Sequence, residues 1–191
     1  SNLYVAKTGN DNTGDGSFGN PYLTITKAKN NISAGDTIFV RAGTYNERVY
    51  PYEVNGSDGN RIVLTNYNDE SVKVDGTGLE FSGALVDIRS AYWTIDGIEI
   101  QNVNMEGTSY YMYGYKSERD CVIIRNCIIH DTWLSAVGLG GDYNVAEYCT
   151  VYNASERNNR DEGRSSNPSG GISARRYPKY CVIRHCIVHD I

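Results

Sequence analysis

Short apolar runs separated by polar bends recur along the chain, and four of them share one pattern. They span 93–100, 121–131, 145–153 and 181–190. Three of the four place a cysteine at the same point, at Cys127, Cys149 and Cys186. The first interval is 22 residues, and the second, 37 residues, equals one such unit plus a polar insertion. A unit this short cannot bury its apolar face alone, so the pattern predicts a solenoid of stacked coils.

Strands of alternating character fill the rest of each coil. Further predicted strands lie at 3–6, 37–40, 62–65, 72–76 and 85–88. Each coil then carries two or three strands separated by bends, and successive coils pair in parallel. The predicted fold class is therefore all-β, a parallel β-helix.

A short amphipathic helix is predicted near the N-terminus. Ile25, Ala28 and Ile32 fall on one helical face. Thr24 can cap its start and Gly35 can end it. We expect this helix to cover the first coil, because a solenoid end otherwise exposes apolar core and unpaired strand edges.

The chain is expected to form one parallel β-helix domain over residues 1–191. Residues 1–45 would hold the N-terminal strand, the capping helix and the first coil, and residues 46–191 the stacked coils. The sequence stops at Ile191, directly after a strand of the repeating type. An open coil end exposes unpaired backbone groups. We therefore expect either a truncated piece of a longer solenoid or a second chain that covers this end, including self-association through the open C-terminal coil.

Composition argues against some function classes. A net charge of -5 argues against a nucleic-acid partner, which would select a basic surface. No apolar run approaches the roughly 18 residues of a membrane span. Without a basic and then apolar leader segment, we expect a processed or a cytosolic form. The 16 tyrosines and 20 glycines are typical of extracellular all-β proteins that handle glycans, so we expect a secreted or cell-surface protein.

Five cysteines is an odd number, so at least one is unpaired within the chain. A disulfide or metal ligation with a histidine is one interpretation. The alternative, which we favour, is a stack of buried thiols on successive coils, because free cysteine behaves as a small hydrophobe. Cys121 and Cys181 begin similar segments and could form a second short ladder. The absence of a CxxC spacing argues against zinc.

Candidate substrate-binding residues cluster in two segments. Alternation places Tyr111 and Tyr113 on the outer face of one sheet, where their rings could stack on sugars or pack under a loop. Residues 156–179 hold six basic and three acidic side chains. Arg175 and Arg176 in this stretch could clamp a carboxylate or sulfate, or belong to a solvated loop with internal ion pairs. The expected partner is a polysaccharide, and an anionic one.

Three residues are candidates for acid–base chemistry. His130 and His189 occupy equivalent repeat positions, and each is followed by an aspartate that could orient the ring. The same equivalence also fits a repeated structural bend. Lys179 could act as an elimination base if its pKa were lowered and a substrate lay nearby.

Several segments resemble a known family. Residues 4–6, the loop 9–19, residues 20–25 and residues 35–45 look like the N-terminal capping region of right-handed parallel β-helix proteins of the pectate lyase superfamily. The greatest similarity is to polysaccharide lyase family 9. Residues 59–64, 92–99 and 170–173 fit the same template. The resemblance covers essentially the whole chain and implies a right-handed coil.

The resemblance also implies an activity. In family 9 lyases an aspartate cluster holds calcium and a lysine abstracts the proton beside the uronate carboxylate. The first calcium aspartate would fall near Gly170, where this chain has no carboxylate, and the others would lie beyond Ile191. The resemblance thus implies calcium for an intact lyase but assigns no metal ligand and no complete catalytic site here. We expect a pectate or uronate lyase, or its N-terminal part, acting by β-elimination. The alternative is a non-catalytic glycan-binding, cell-surface or self-assembling module.

Overall fold

A computed structural model describes residues 1–103, 112–154 and 170–191. Within these ranges the chain forms one short helix and seventeen strands. In chain order they are β1 (Asn2–Val5), α1 (Ile25–Lys29), β2 (Thr37–Val40), β3 (Gly43–Tyr45), β4 (Ile62–Asn66), β5 (Val72–Asp75), β6 (Gly83–Ile88), β7 (Trp93–Asp96), β8 (Glu99–Val103), β9 (Met112–Ser117), β10 (Ile123–Arg125), β11 (Ile128–Thr132), β12 (Val137–Leu139), β13 (Val145–Glu147), β14 (Thr150–Ala154), β15 (Ile172–Ala174), β16 (Val182–Arg184) and β17 (Ile187–His189).

The strands form three sheets that run side by side along one axis. The first sheet has the order β1-β2-β4-β7-β10-β13-β16, the second β3-β5-β8-β11-β14-β17 and the third β6-β9-β12-β15. Every pair of named strands is parallel, for example Ile123 with Val145. From β4 onward the chain visits the three sheets in turn and advances by one strand on each circuit. This is the predicted parallel β-helix.

The interior is filled by columns of apolar side chains in register. In the first sheet, pairing stacks Ile38 on Leu64, then Ile95, Ile124, Ala146 and Ile183. Ile95 and Ile124 are fully buried. Each coil buries its inward residues against the coils before and after it. The packing therefore agrees with the prediction that one coil cannot bury its apolar face alone.

A left-handed residue makes the bend between the first and second sheets in four successive coils. Gly97, Asn126, Tyr148 and His185 have φ of 69°, 51°, 52° and 51°. Glycine and asparagine enter this region at low cost, whereas tyrosine rarely does. Because the bend is the same in each coil, the residue that follows it points inward every time.

The residue after the bend carries the cysteine ladder. Ile98, Cys127, Cys149 and Cys186 occupy this position in successive coils. The Sγ of Cys127 lies 3.1 Å from the Arg125 carbonyl oxygen, and the Sγ of Cys149 lies 3.4 Å from that of Glu147. All five cysteines are free, and Cys127 and Cys149 are buried, whereas Cys186 in the last coil is half-buried. The predicted stack of thiols is therefore confirmed.

The second predicted thiol ladder is wrong. Val145 pairs with Val182, which sets Asn144 beside Cys181, whereas Cys121 corresponds to Tyr143. The two cysteines therefore sit one position apart in their coils. Cys121 has a left-handed backbone with φ of 58°, as does Tyr180, the residue before Cys181. The shared Cys-Val-Ile letters in the sequence conceal this one-residue shift.

Helix α1 begins as predicted and ends early. The Thr24 side chain accepts a hydrogen bond from the Lys27 amide at 3.1 Å. The helix stops at Lys29 with Asn30 as its C-cap, not at Gly35. Its buried residues pack against β1 and β2. Within the described ranges no helix has the length and apolar content that a membrane span requires. The division into residues 1–45 and 46–191 stays a prediction.

Thiol reactivity offers a direct check of the ladder. Burial raises the pKa of Cys149 to about 12 and that of Cys127 well above its ordinary value. Because only the thiolate reacts, both thiols should resist iodoacetamide at about pH 8 in the folded protein. Cys186 is only half-buried and should be modified before them. Peptide mass spectrometry would measure the order, and early labelling of Cys127 or Cys149 would contradict the ladder. Labelling in denaturant serves as the control.

Candidate functional site

The outer face of the third sheet carries a basic cleft of about 400 Å³, which we call the basic trough. Its lining includes Arg89, Tyr113, Lys116, Arg175 and Arg176. These residues come from the coils of β6, β9 and β15, and β12 lies between the last two. They reach one surface because the strands that present them pair in register.

The register of β6, β9, β12 and β15 places the trough side chains. Asp87 pairs with Lys116, Lys116 with Gly138, and Gly138 with Ser173. Gly138 has a structural role here, because a Cβ at this position would lie 2.9 Å from Arg175 Cδ and 3.3 Å from Lys116 Cγ. The missing side chain lets two long basic residues cross the sheet surface.

A fully buried carboxylate anchors one end of the trough. Asp87 is 0% exposed. It accepts hydrogen bonds from Arg48 Nη2 at 2.9 Å, from Arg89 Nε at 2.7 Å and from the Ala84 amide at 3.2 Å. Burial lowers the pKa of Arg89, but its hydrogen bond to Asp87 outweighs this and raises the pKa overall. Asp87 therefore fixes two guanidinium groups on the sheet.

Glu118 anchors the other end. Its carboxylate lies 2.7 Å from Lys116 Nζ, 3.7 Å from Arg176 Nη1 and 4.0 Å from Arg175 Nη1. Burial raises the pKa of Glu118, yet the Lys116 hydrogen bond and the nearby cations lower it overall. Burial lowers the pKa of Lys116, and the Glu118 contact only partly offsets this. Asp87 and Glu118 together face five cations, so the trough carries excess positive charge.

Tyr113 lies among these cations. Its ring centroid is 4.6 Å from the Arg175 guanidinium carbon and 5.3 Å from Lys116 Nζ. The contacts with two cations hold the phenol in place and leave it partly exposed. A fixed aromatic ring beside guanidinium groups can contact the apolar face of a sugar while the arginines bind its anionic substituent.

The structure brings together three of the four residues predicted to bind substrate. Tyr113, Arg175 and Arg176 line one cleft. Tyr111 lies outside the described residues. Sequence reasoning missed Arg89 and Lys116.

The two missed residues differ in how visible they are in the sequence. Asp87 of β6 points outward and Arg89 lies two residues later, so alternation would have placed Arg89 on the same face. For Lys116 the alternation is interrupted, because both Met112 and Tyr115 are buried although they are three residues apart. Strict alternation from Met112 would turn Lys116 inward, so the pattern gave no sign of its place in the trough.

The acid–base candidates lie outside the trough. His130 and His189 belong to the second sheet, where their rings stack on either side of Tyr152 with centroids 4.6 and 5.3 Å away. The His130 ring nitrogens contact Glu99 Oε1 at 2.7 Å and Asp131 Oδ2. Lys179 lies on an exposed bend, where its amide donates to Asp142 Oδ1 at 2.7 Å. Catalysis by these three residues stays a prediction.

Within the described residues, no set of side chains fits a calcium site. Among the described residues, no group of three His, Cys, Asp or Glu side chains is arranged to hold a metal. Gly170 and Gly171 precede β15 and offer no carboxylate. Asp87 and Glu118, the two trough carboxylates, are already held by cations. The trough therefore presents excess positive charge, and no chemical step is assigned to calcium.

Solved structures resemble this chain closely in fold and weakly in sequence. Pectate lyase Pel9A matches with a TM-score of 0.71 and 18% identity over 97% of this chain and 46% of its own. A rhamnogalacturonan lyase matches with a TM-score of 0.75 and 15% identity over 98% and 51%. XylC, solved with xylose, matches with a TM-score of 0.70 and 15% identity over 100% and 59%.

Sequence comparison gives a curated relative and a family. The uncharacterized protein YwoF of Bacillus subtilis (strain 168) is 30% identical over 118 residues, which cover 58% of this chain and 25% of YwoF. The chain thus spans about a quarter of that relative and about half of the lyases. A family profile described as "Pel9A-like, right handed beta helix region" matches residues 3–190. The chain therefore belongs to the Pel9A-like right-handed β-helix family.

Proposed function

We propose that this chain binds an anionic polysaccharide in the basic trough, as part of an extracellular lyase that cleaves a uronate-containing glycan by β-elimination. The observation that carries the proposal is the set of cations on the third sheet, which outnumber the carboxylates beneath them and surround Tyr113. The family and the fold shared with pectate and rhamnogalacturonan lyases support a polysaccharide as the partner.

The trough would contribute carboxylate binding to this reaction. Guanidinium groups bind carboxylates through paired hydrogen bonds, and they stay charged at every relevant pH. Neutralising the uronate carboxylate stabilises the negative charge that develops when the adjacent C–H proton is removed. No base is assigned to the trough, because Lys116 is ion-paired with Glu118 at 2.7 Å.

Removal of two trough arginines tests the binding site. We expect the Arg175→Ala/Arg176→Ala variant to bind oligogalacturonate about 30-fold more weakly, since each lost charged contact contributes about 1 kcal/mol. Isothermal titration calorimetry would measure the affinity.

The matched control for this pair lies on the first sheet. Arg125→Ala/Arg184→Ala removes the same charge from surface pairs with Asp96 and Glu147. Because these arginines lie outside the trough, the control variant should bind oligogalacturonate nearly as well as the unmodified chain. If both variants bind oligogalacturonate equally weakly, the loss comes from net charge alone. That result would contradict specific binding in the trough.

The pH dependence of binding follows from Lys116. Because burial lowers the pKa of Lys116, this lysine should lose its charge at a lower pH than an exposed lysine does. The protonated form attracts the anion, so affinity for oligogalacturonate should fall as pH rises toward that lowered pKa. Titrations across the alkaline range would measure this. Lys116→Arg keeps its charge and should flatten the profile, whereas an unchanged profile would contradict a role for Lys116.

A second candidate function is a non-catalytic glycan-binding module, self-assembling or on a cell surface. It is favoured by the trough, where Lys116 is ion-paired with Glu118 at 2.7 Å and no base is assigned. Ultraviolet absorbance of unsaturated products on pectate and other uronates would support the lyase. A concentration-dependent oligomer in size exclusion, without product on any uronate, would favour the module.

A further inference from the structure

A second cleft lies on a different sheet, away from the basic trough. Tyr4 of β1 is in register with Phe39 of β2 on the outer face of the first sheet, and their ring centroids lie 5.4 Å apart. Phe18 and Tyr67 complete this aromatic cluster, with centroids 5.6 Å apart. Tyr4 and Phe18 line a cleft of about 230 Å³, which we call the aromatic cleft.

Phe18 is the exposed member of the cluster. It lies in the turn between Ser17 and Asn20, whose backbone groups pair as a β-bridge, and it is 55% exposed. Turns usually carry small or polar residues, so a large aromatic ring presented to solvent here is informative. Asp15 Oδ1 accepts from the Ser17 amide at 2.9 Å, and Asn20 Nδ2 donates to the Thr13 carbonyl at 3.0 Å. The ring is therefore held on a well-braced turn, which lowers the entropic cost of binding.

Arg41 supplies the polar wall and sets the charge of the cleft. Its guanidinium carbon lies 5.5 Å from the Phe18 centroid and 5.0 Å from that of Tyr67. Arg41 Nε donates to both carboxylate oxygens of Glu70, at 2.9 and 3.0 Å. Within the described residues these bonds use Nε alone, which leaves the terminal nitrogens as donors. Because Glu70 balances its charge, the cleft does not favour an anion as the trough does.

We infer that this aromatic cleft binds a neutral pyranose residue of a glycan, with the sugar ring on Phe18 and its hydroxyl groups toward Arg41. The volume is below the roughly 300–1,000 Å³ of a drug-sized site and suits one sugar ring. An exposed aromatic face covers the apolar face of a pyranose, and planar donors bind its hydroxyl groups. The site is separate from the trough. It would hold a neutral part of the polysaccharide that the trough binds, or a neighbouring glycan.

The test uses ¹⁵N NMR titration of this chain with xylohexaose, cellohexaose and galactohexaose. We expect at least one of these neutral probes to shift the amide signals of Phe18, Gly19 and Arg41. Phe18→Ala should weaken that binding about tenfold, the loss expected for one aromatic contact. Phe18→Trp should restore it. The matched control is Tyr148→Ala, which removes a side chain that is also 55% exposed, from a different bend.

The trough variant separates this inference from the proposed function. Arg175→Ala/Arg176→Ala should leave the neutral-probe shifts unchanged, and Phe18→Ala should leave oligogalacturonate binding unchanged. The inference is overturned if no probe at about 10 mM shifts these amides, a concentration that fills sites of millimolar affinity. It is also overturned if Phe18→Ala and Tyr148→Ala weaken binding equally. Thermal unfolding of each variant would identify a loss caused by misfolding, and Phe18→Trp then decides the result.

Discussion

Replacement of Asp87 by alanine is expected to lower the free energy of unfolding by about 3–5 kcal/mol, because it leaves two arginines near a buried site without their anion. Asp87 is 0% exposed and joins Arg48 and Arg89 on the sheet surface. Its Oδ2 also accepts from the Ala84 amide, which would lose its partner. Urea denaturation followed by circular dichroism would measure the change. Binding of oligogalacturonate should weaken as well, since Arg89 lines the trough.

The control for Asp87 is a carboxylate in a more exposed pair. Asp96 Oδ2 accepts from Arg125 Nε at 2.8 Å on the outer face of the first sheet. Exposed ion pairs contribute about 1 kcal/mol or less, so Asp96→Ala should cost far less than Asp87→Ala. Asp87→Asn retains the shape and should fall between them. Equal costs for the two alanine variants would show that burial of Asp87 adds nothing to its effect.

Truncation of Ile95 to alanine is expected to destabilise the protein by about 2–5 kcal/mol, the range for isoleucine in a packed core. Ile95 lies in the middle of the first sheet, is 0% exposed and stacks between Leu64 and Ile124. The cavity would open in the middle of the column, where neither adjacent coil can collapse into it. The shift of the urea midpoint, with the slope unchanged, would measure the loss.

Ile183 is a matched control from the same column. It occupies the equivalent position in the last coil, beside Ala146, but is 47% exposed. Ile183→Ala should therefore cost less than about 1 kcal/mol, as substitutions near the surface usually do. Identical costs at the two positions would contradict the idea that stability comes from neighbouring coils. If the same substitution is made in a protein whose next coil covers Ile183, its cost should rise toward that of Ile95.

The periodic part of the fold could be predicted from sequence because a repeated sequence pattern indicates a repeated structural unit. Cys127, Cys149 and Cys186 share one column, and the apolar runs around them indicated the strand positions and the parallel pairing. Local signals near Thr24 also identified the start of α1. The end of α1 could not be predicted, because its last turn depends on packing against β1 and β2 and not on the nearest glycine.

The candidate site was predictable only in part. Tyr113 follows from alternation within a strand, and Arg175 from the basic stretch that contains it, and sequence alone can reveal both. Lys116 does not follow in this way, because the alternation breaks between the buried residues of β9. Asp87 and Glu118 were also missed, since an acidic residue gives no sign in the sequence of the cations that will surround it. Which residues become lateral neighbours depends on register, and register is a property of the assembled coils.

Because equivalent residues of successive coils pair one to one, a whole coil could be removed without shifting the pairing of the remaining strands. Ile123 pairs with Val145, 22 residues later. Excising residues 123–144 would join Val122 to Val145, and the following strands would meet β7, β8 and β9 in their usual alignment. The trough would become shorter, with Ser173 next to Lys116. Whole-coil deletion or duplication could therefore change the length of the basic surface while the described corners keep their backbone geometry.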